Sequence, residues 1–174
     1  SDANETAVAW RVALERRDGP TALVLTRQNL PVLDRSVLAS AEGLRRGAYV
    51  LKDPPAGDPS LILIATGSEV EIALKAQDAL SGLGVATRVV AMPCWELFEA
   101  EDAAYKETVL PARVKARVAI EAGTSFGRER YVGDAGTVVG IDHFGASAPA
   151  GVLYERFGLT AENLVARSLA LLGR

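Results

Sequence analysis

The chain has 174 residues, 49% of them hydrophobic and 24% charged, with a formal net charge of −3. That length buries a full core and holds one domain, or one domain with part of another. The charge suits no nucleic-acid tracker, no run reaches the roughly 18 apolar residues of a membrane helix, and one cysteine with one histidine supplies neither a disulfide framework nor the usual zinc set. The opening SDANETAVAW has no basic region followed by an apolar core, so a signal peptide is not expected and a cytoplasmic setting is.

Residues Glu5 to Arg16 read as a helix capped by Asp2 or Asn4, with apolar residues around nearly its whole circumference and only Arg11 and Glu15 marking a solvent stripe. Such a helix needs neighbours on several sides. The apolar run Thr21 to Leu25 reads as a strand covered on both faces, and residues 33–46 as a connector. A second unit follows, with a strand over Gly47 to Asp53 ended by PPAGDP and a central strand over Ser60 to Gly67. Ser68 and Glu71 fit a capping box for a helix whose apolar face holds Val70, Ala73, Leu74 and Leu80, stopped at Gly82 and Gly84. Val85 to Pro93 is the next strand, which makes a βαβ unit with parallel strands. A helix near Glu101 to Thr108, strands over Ala116 to Ala122 and Thr137 to Asp142, and two terminal helices, the last capped by Thr160, complete the pattern. The expected fold is α/β, a mostly parallel, mixed five-stranded sheet with helices on both faces.

Several segments suggest chemistry. The turn ATGSEVE puts amides at a helix amino terminus, which suits phosphate, but it lacks the P-loop lysine and most of the dinucleotide glycines. The glycine-rich run from Gly123 to Gly136 has no G-x-G-x-x-G and reads as a loop. Asp142, His143 and Ser147 invite a hydrolase reading, yet proline stands where a nucleophile elbow needs glycine, and adjacent residues of a strand face opposite ways. Cys94, between Pro93 and Trp95, reads as a packing residue. Arg27 is the strongest candidate, because the polar group after a buried strand is where α/β sheets present ligand contacts and a guanidinium matches two phosphate or carboxylate oxygens. A surface ion pair is the competing explanation for it.

In order along the chain, PTALVLTRQNLPVLDR, LRRGAYVLKD, ILIATGSEVEIAL, VVAMPCWELFEAEDAAYKETVLP, VAIEAG and FGASAPAGVLYERFG resemble the carboxyl-terminal portion of transketolases. The resemblance covers nearly the whole chain. It implies that residues 1–35 are the last helix and strand of a pyrimidine-binding middle domain, 36–46 a linker, and 47–174 the complete third domain. Transketolases are homodimers of the pentose phosphate pathway that move a two-carbon ketol unit from a phosphorylated ketose to an aldose, using thiamine diphosphate and a divalent cation, magnesium or calcium. The family arginine that holds the sugar phosphate falls on Arg27, with Thr26 where serine is more usual. The family's Gly-Asp-Gly cofactor motif and its catalytic glutamate and histidines have no counterpart in this sequence. The resemblance therefore implies no catalytic, cofactor-binding or metal-binding residue here, and a chain inactive alone. A free-standing, non-catalytic interaction or regulatory module is the alternative.

Overall fold

The computed structural model describes all residues, 1–174. Its centre is a five-stranded sheet made of β1 (Tyr49–Lys52), β2 (Leu61–Ala65), β3 (Thr87–Ala91), β4 (Arg117–Ile120) and β5 (Thr137–Val139), in the order β1-β3-β2-β4-β5. All neighbours pair in parallel except β1, which runs antiparallel to β3 at one edge. The mostly parallel, mixed sheet read from the sequence is present, and the strand expected to be central, β2, is central.

Every residue of β2 is buried. Successive side chains of a strand face opposite ways, so an entirely apolar strand demands cover on both sides. Leu61, Leu63 and Ala65 enter one core with Val70, Ala73, Ala76 and Leu80 of helix α2 (Glu69–Gly82) and Leu164 of helix α7 (Ala161–Leu171). Ile62 and Ile64 enter the other, with Phe98 of helix α3 (Trp95–Glu99), Val109 of helix α4 (Ala103–Val109), and Tyr131 and Val132 of helix α5 (Glu129–Val132). Helix α6 (Ala150–Phe157) precedes α7, whose cap is Thr160, accepting from the Asn163 amide at 3.2 Å.

Helix α1 (Ala3–Glu15) stands apart from both cores. Asp2 caps it as expected, its Oδ1 accepting from the Glu5 amide at 2.9 Å. Val8 packs on Ala41 and Leu44 of the short 3-10 helix Ala41–Arg46, while Trp10 and Leu14 are exposed. The remaining hold on α1 is polar. Asp2 also receives Arg35 Nη2 at 2.8 Å and the Leu33 amide at 3.1 Å, and the Tyr49 hydroxyl donates to Glu5 at 2.9 Å. Burial works to raise the Asp2 carboxyl, but these hydrogen bonds and the Arg35 charge outweigh it and leave the group below its ordinary value.

Three expectations are corrected. Residues 21–25 form no strand, and Val24 is 95% exposed. A strand is stable only beside a hydrogen-bonding neighbour, and nothing in this chain lies alongside to supply one. The connector over 33–46 contains the 3-10 helix Ala41–Arg46. The capping box at α2 does not form, because Ser68 is itself in a helical conformation and its hydroxyl makes no cap hydrogen bond. It turns instead toward Glu69, with Ser68 Oγ 2.9 Å from Glu69 Oε1. Glu71 is left to pair with Lys75 one turn on, at 2.6 Å. Helices α3 and α5 were not anticipated, since five and four residues are too few to display a helical period.

The 3-10 helix joins the sheet through Gly47, whose φ is +77°. A Cβ there would collide with the backbone of Cys94, Leu97 and Phe98, at a position L side chains also disfavour. Strain and overpacking together predict that Gly47→Ala lowers unfolding stability by about 2 to 4 kcal/mol, measured by urea denaturation, with no change in the denaturant slope.

Candidate functional site

In open α/β sheets ligand contacts gather beyond the carboxyl ends of the strands. Here that rim is formed by the turn from β2 into α2, the segment after β4, the segment after β5, and α6. Four polar side chains converge on it. Glu69, at the first position of α2 and only 2% exposed, accepts from the Tyr154 hydroxyl of α6 at 2.5 Å. Ser68 Oγ lies 2.8 Å from the same hydroxyl, and Gln28 Nε2 donates to it at 3.0 Å. Burial, and after it the bond to Glu69, push the Tyr154 phenol up to about 12, so it keeps its proton at neutral pH.

One strand over, Glu121 follows β4 and accepts from Arg128 Nη2 at 2.5 Å. Burial pushes the Glu121 carboxyl up to about 7; Arg128 pulls it back, and the neighbouring charge of Glu69 adds to the rise. Arg128 is itself nearly buried, with its guanidinium 5.2 Å from the Trp95 ring centre and its Nε without a hydrogen-bond partner. Two carboxyl groups thus sit at the ends of adjacent parallel strands, one held by neutral hydroxyls and the other by an arginine. A carboxyl titrating near neutrality suits proton transfer, but Glu121 is engaged by Arg128 and Glu69 by the Ser68 and Tyr154 hydroxyls. The arrangement as it stands is a packed polar joint.

The structure distributes the sequence candidates as follows. Arg27 is exposed and forms no salt bridge, whereas most other arginines of the chain do. It lies on the unpaired segment before Leu33 and not at the end of a strand. Asp142 is taken up by Thr124 and Ser125, whose hydroxyls donate at 3.1 and 2.7 Å and whose Ser125 amide donates at 2.8 Å. Those bonds, the amide first, hold its carboxyl below the ordinary value. His143 stacks edge-on against Phe157 with ring centres 5.0 Å apart, and its Nδ1 lies 2.8 Å from the Phe144 carbonyl. Neither residue bonds to Ser147, so no nucleophilic triad exists. Cys94 is half-buried with its thiol raised by burial, the setting of an inert cysteine. The Gly67 turn leads into Glu69, whose negative charge in the first turn of α2 opposes a phosphate there.

Sequence reasoning passed over Glu69, Glu121, Arg128 and Tyr154. Glu69 comes soon after the fully apolar β2, and Glu121 directly follows the apolar Val118 to Ile120 of β4, which was the available signal. The meeting of Glu69 with Tyr154, 85 residues away, is tertiary.

The family model described as the transketolase-like TK C-terminal domain matches residues 47–160. A transketolase of Geobacillus stearothermophilus is 51% identical over 174 residues, which is all of this chain and 26% of that protein. Among solved structures, the transketolase from Leishmania mexicana superposes with a TM-score of 0.90 at 47% identity, covering 100% of this chain and 24% of its own. A Pichia stipitis transketolase in complex with sedoheptulose 7-phosphate gives 0.88 at 33% identity, covering 99% and 24%. The chain thus spans about a quarter of the length of these relatives.

Because the folded carboxyl of Glu121 is raised from 4.5 to about 7, protonation favours the folded state. The contribution is complete below the unfolded value and is lost as pH climbs through 7. Between pH 5 and 8 the chain is expected to lose up to about 3 kcal/mol of stability relative to a Glu121→Gln variant, read from paired denaturation curves. Parallel curves would show that Glu121 ionises normally.

Proposed function

This chain belongs to the transketolase family, and on that premise we propose that it is the carboxyl-terminal part of an enzyme moving a two-carbon ketol unit from a phosphorylated ketose to an aldose. In this reading residues 1–35 end the middle domain, 36–46 link, and 47–174 are the third domain of a cytoplasmic homodimer. The residue assigned to the substrate is Arg27, which binds the sugar phosphate.

The observation that carries the assignment is that Arg27 is a solvent-facing guanidinium with no carboxylate partner, on a segment whose apolar residues are also uncovered. Arg17, Arg156 and Arg167 are also exposed and unpaired, so it is the place of Arg27 on this uncovered apolar segment that distinguishes it. A free-standing module would leave Trp10, Leu14, Val24 and Leu25 in water, an apolar surface that a longer polypeptide would cover.

Phosphate at the far end of the sugar is remote from the bond that changes. Its binding energy goes into orienting the reacting carbons, so the guanidinium contributes positioning and no proton transfer. Thiamine diphosphate supplies the carbanion-stabilising chemistry in such enzymes, and the residues of this chain do not fit it. No three His, Cys, Asp or Glu side chains converge as a cation site, and at the one glycine turn entering a long helix Glu69 would repel a diphosphate. Cofactor and metal belong, on this reading, to upstream domains.

In the full-length enzyme Arg27→Ala is expected to raise KM for a phosphorylated ketose roughly 10- to 100-fold, the loss of one charge-assisted contact. KM for an unphosphorylated ketose should hold. Equal losses on both substrates in steady-state assays would make Arg27 a structural residue and remove the assignment.

A further inference from the structure

Within this chain the segment that carries Arg27 has few polar contacts. From Arg17 to Val32 no backbone group bonds to another backbone group. The segment is tied at its ends, where the Arg16 amide donates to Val12 at 3.1 Å and the Leu33 amide donates to Asp2 at 3.1 Å. Between these ends a single polar contact reaches the α/β sheet domain, from Gln28 Nε2 to the Tyr154 hydroxyl at 3.0 Å. Gln28 is the residue next to Arg27. On the other side of Arg27, the Thr26 hydroxyl donates to the Gln28 side-chain oxygen, so both neighbours of the arginine share one contact.

Tyr154 is firmly placed. Its hydroxyl donates to Glu69 at 2.5 Å with Ser68 Oγ at 2.8 Å, and Glu69 is buried at the start of α2, directly after the fully buried strand β2. A phenol oxygen that donates to a carboxyl group still has lone pairs to accept with, and one of them faces Gln28. The contacts therefore run from the helix that follows the fully buried strand, through Glu69 and Tyr154, to the residue beside Arg27.

We propose that Tyr154, oriented by Glu69, is a positioning residue for substrate: it anchors Gln28 and thereby presents the Arg27 guanidinium to the sugar phosphate. This rests on the reading of Arg27 given above. Binding loses less affinity to ordering when the residues beside the contacting group are already held, and the hydrogen bond from Gln28 to Tyr154 holds the residue next to Arg27. The domain that carries no reacting group would then act on the reaction through affinity for the phosphate alone.

The test uses the full-length enzyme with its cofactor. Tyr154→Phe removes one oxygen and should raise KM for a phosphorylated ketose about 3- to 10-fold, as expected for a neutral hydrogen bond, with kcat and the KM for an unphosphorylated ketose unchanged. The inhibition constant of inorganic phosphate competing with the phosphorylated ketose should rise by the same factor. Gln28→Ala, on the exposed arm where folding is not at stake, should reproduce these effects, and the double variant should add nothing further. Equal effects of Tyr154→Phe on both ketoses, or additive effects in the double variant, would overturn the proposal. If Arg27→Ala separates the two ketoses and Tyr154→Phe does not, the tether fails while the role of Arg27 stands. If Arg27→Ala does not separate them, both fail.

Discussion

The fold depends on one strand with no polar face. Leu61, Ile62, Leu63, Ile64 and Ala65 are all buried, and alternation sends them into two separate cores. Either core alone would leave half of β2 in water, so helices must close on both sides of the sheet, α2 and α7 on one and α3 to α5 on the other. Strands β3 and β4 flank β2 in parallel, and their carboxyl ends open at a common rim. Everything of functional interest hangs from that rim or from the arm that crosses it.

Burial at the rim explains its unusual chemistry. Strands that end inside two packed layers leave their next residues little water, and the residues following β2 and β4 include Glu69 and Glu121. One is satisfied by hydroxyls and one by Arg128, whose own burial beside Trp95 prevents solvent from sharing the charge. Loss of water is the main reason that the Glu121 carboxyl is raised in spite of its arginine, and the charge of Glu69 adds to it. Such a joint holds its shape because each member depends on the others, which suits it to hold the residue beside Arg27.

The amino-terminal 35 residues obey different physics. Helix α1 is attached less by apolar contact than by polar bridges: Asp2 to Arg35, Glu5 to Tyr49, Arg45 to Glu15 and Arg11 to Glu42. Exposed ion pairs contribute little stability, so the buried Asp2 and Glu5 contacts matter most. The arm after it offers a guanidinium and several apolar side chains to solvent, as half an interface does.

Local pattern was enough for the elements whose signals are local. The unbroken apolar run placed β2 at the centre, the period of α2 and the Thr160 cap placed two helices, and the succession of strand and helix required a mostly parallel sheet. Ordered blocks from TALVLTRQNLP to FGASAPAGVLYERFG also carried the family. Pairing and convergence were decided in three dimensions. Residues 21–25 have a strand's composition but no strand, because a ladder needs a partner that composition cannot supply. Ser68 has a cap's identity but serves Glu69 and Tyr154, because a hydroxyl goes to whichever buried group most needs it. The contact between Gln28 and Tyr154 spans 126 positions, a separation across which no periodicity or motif has reach; only the folded sheet brings the two together.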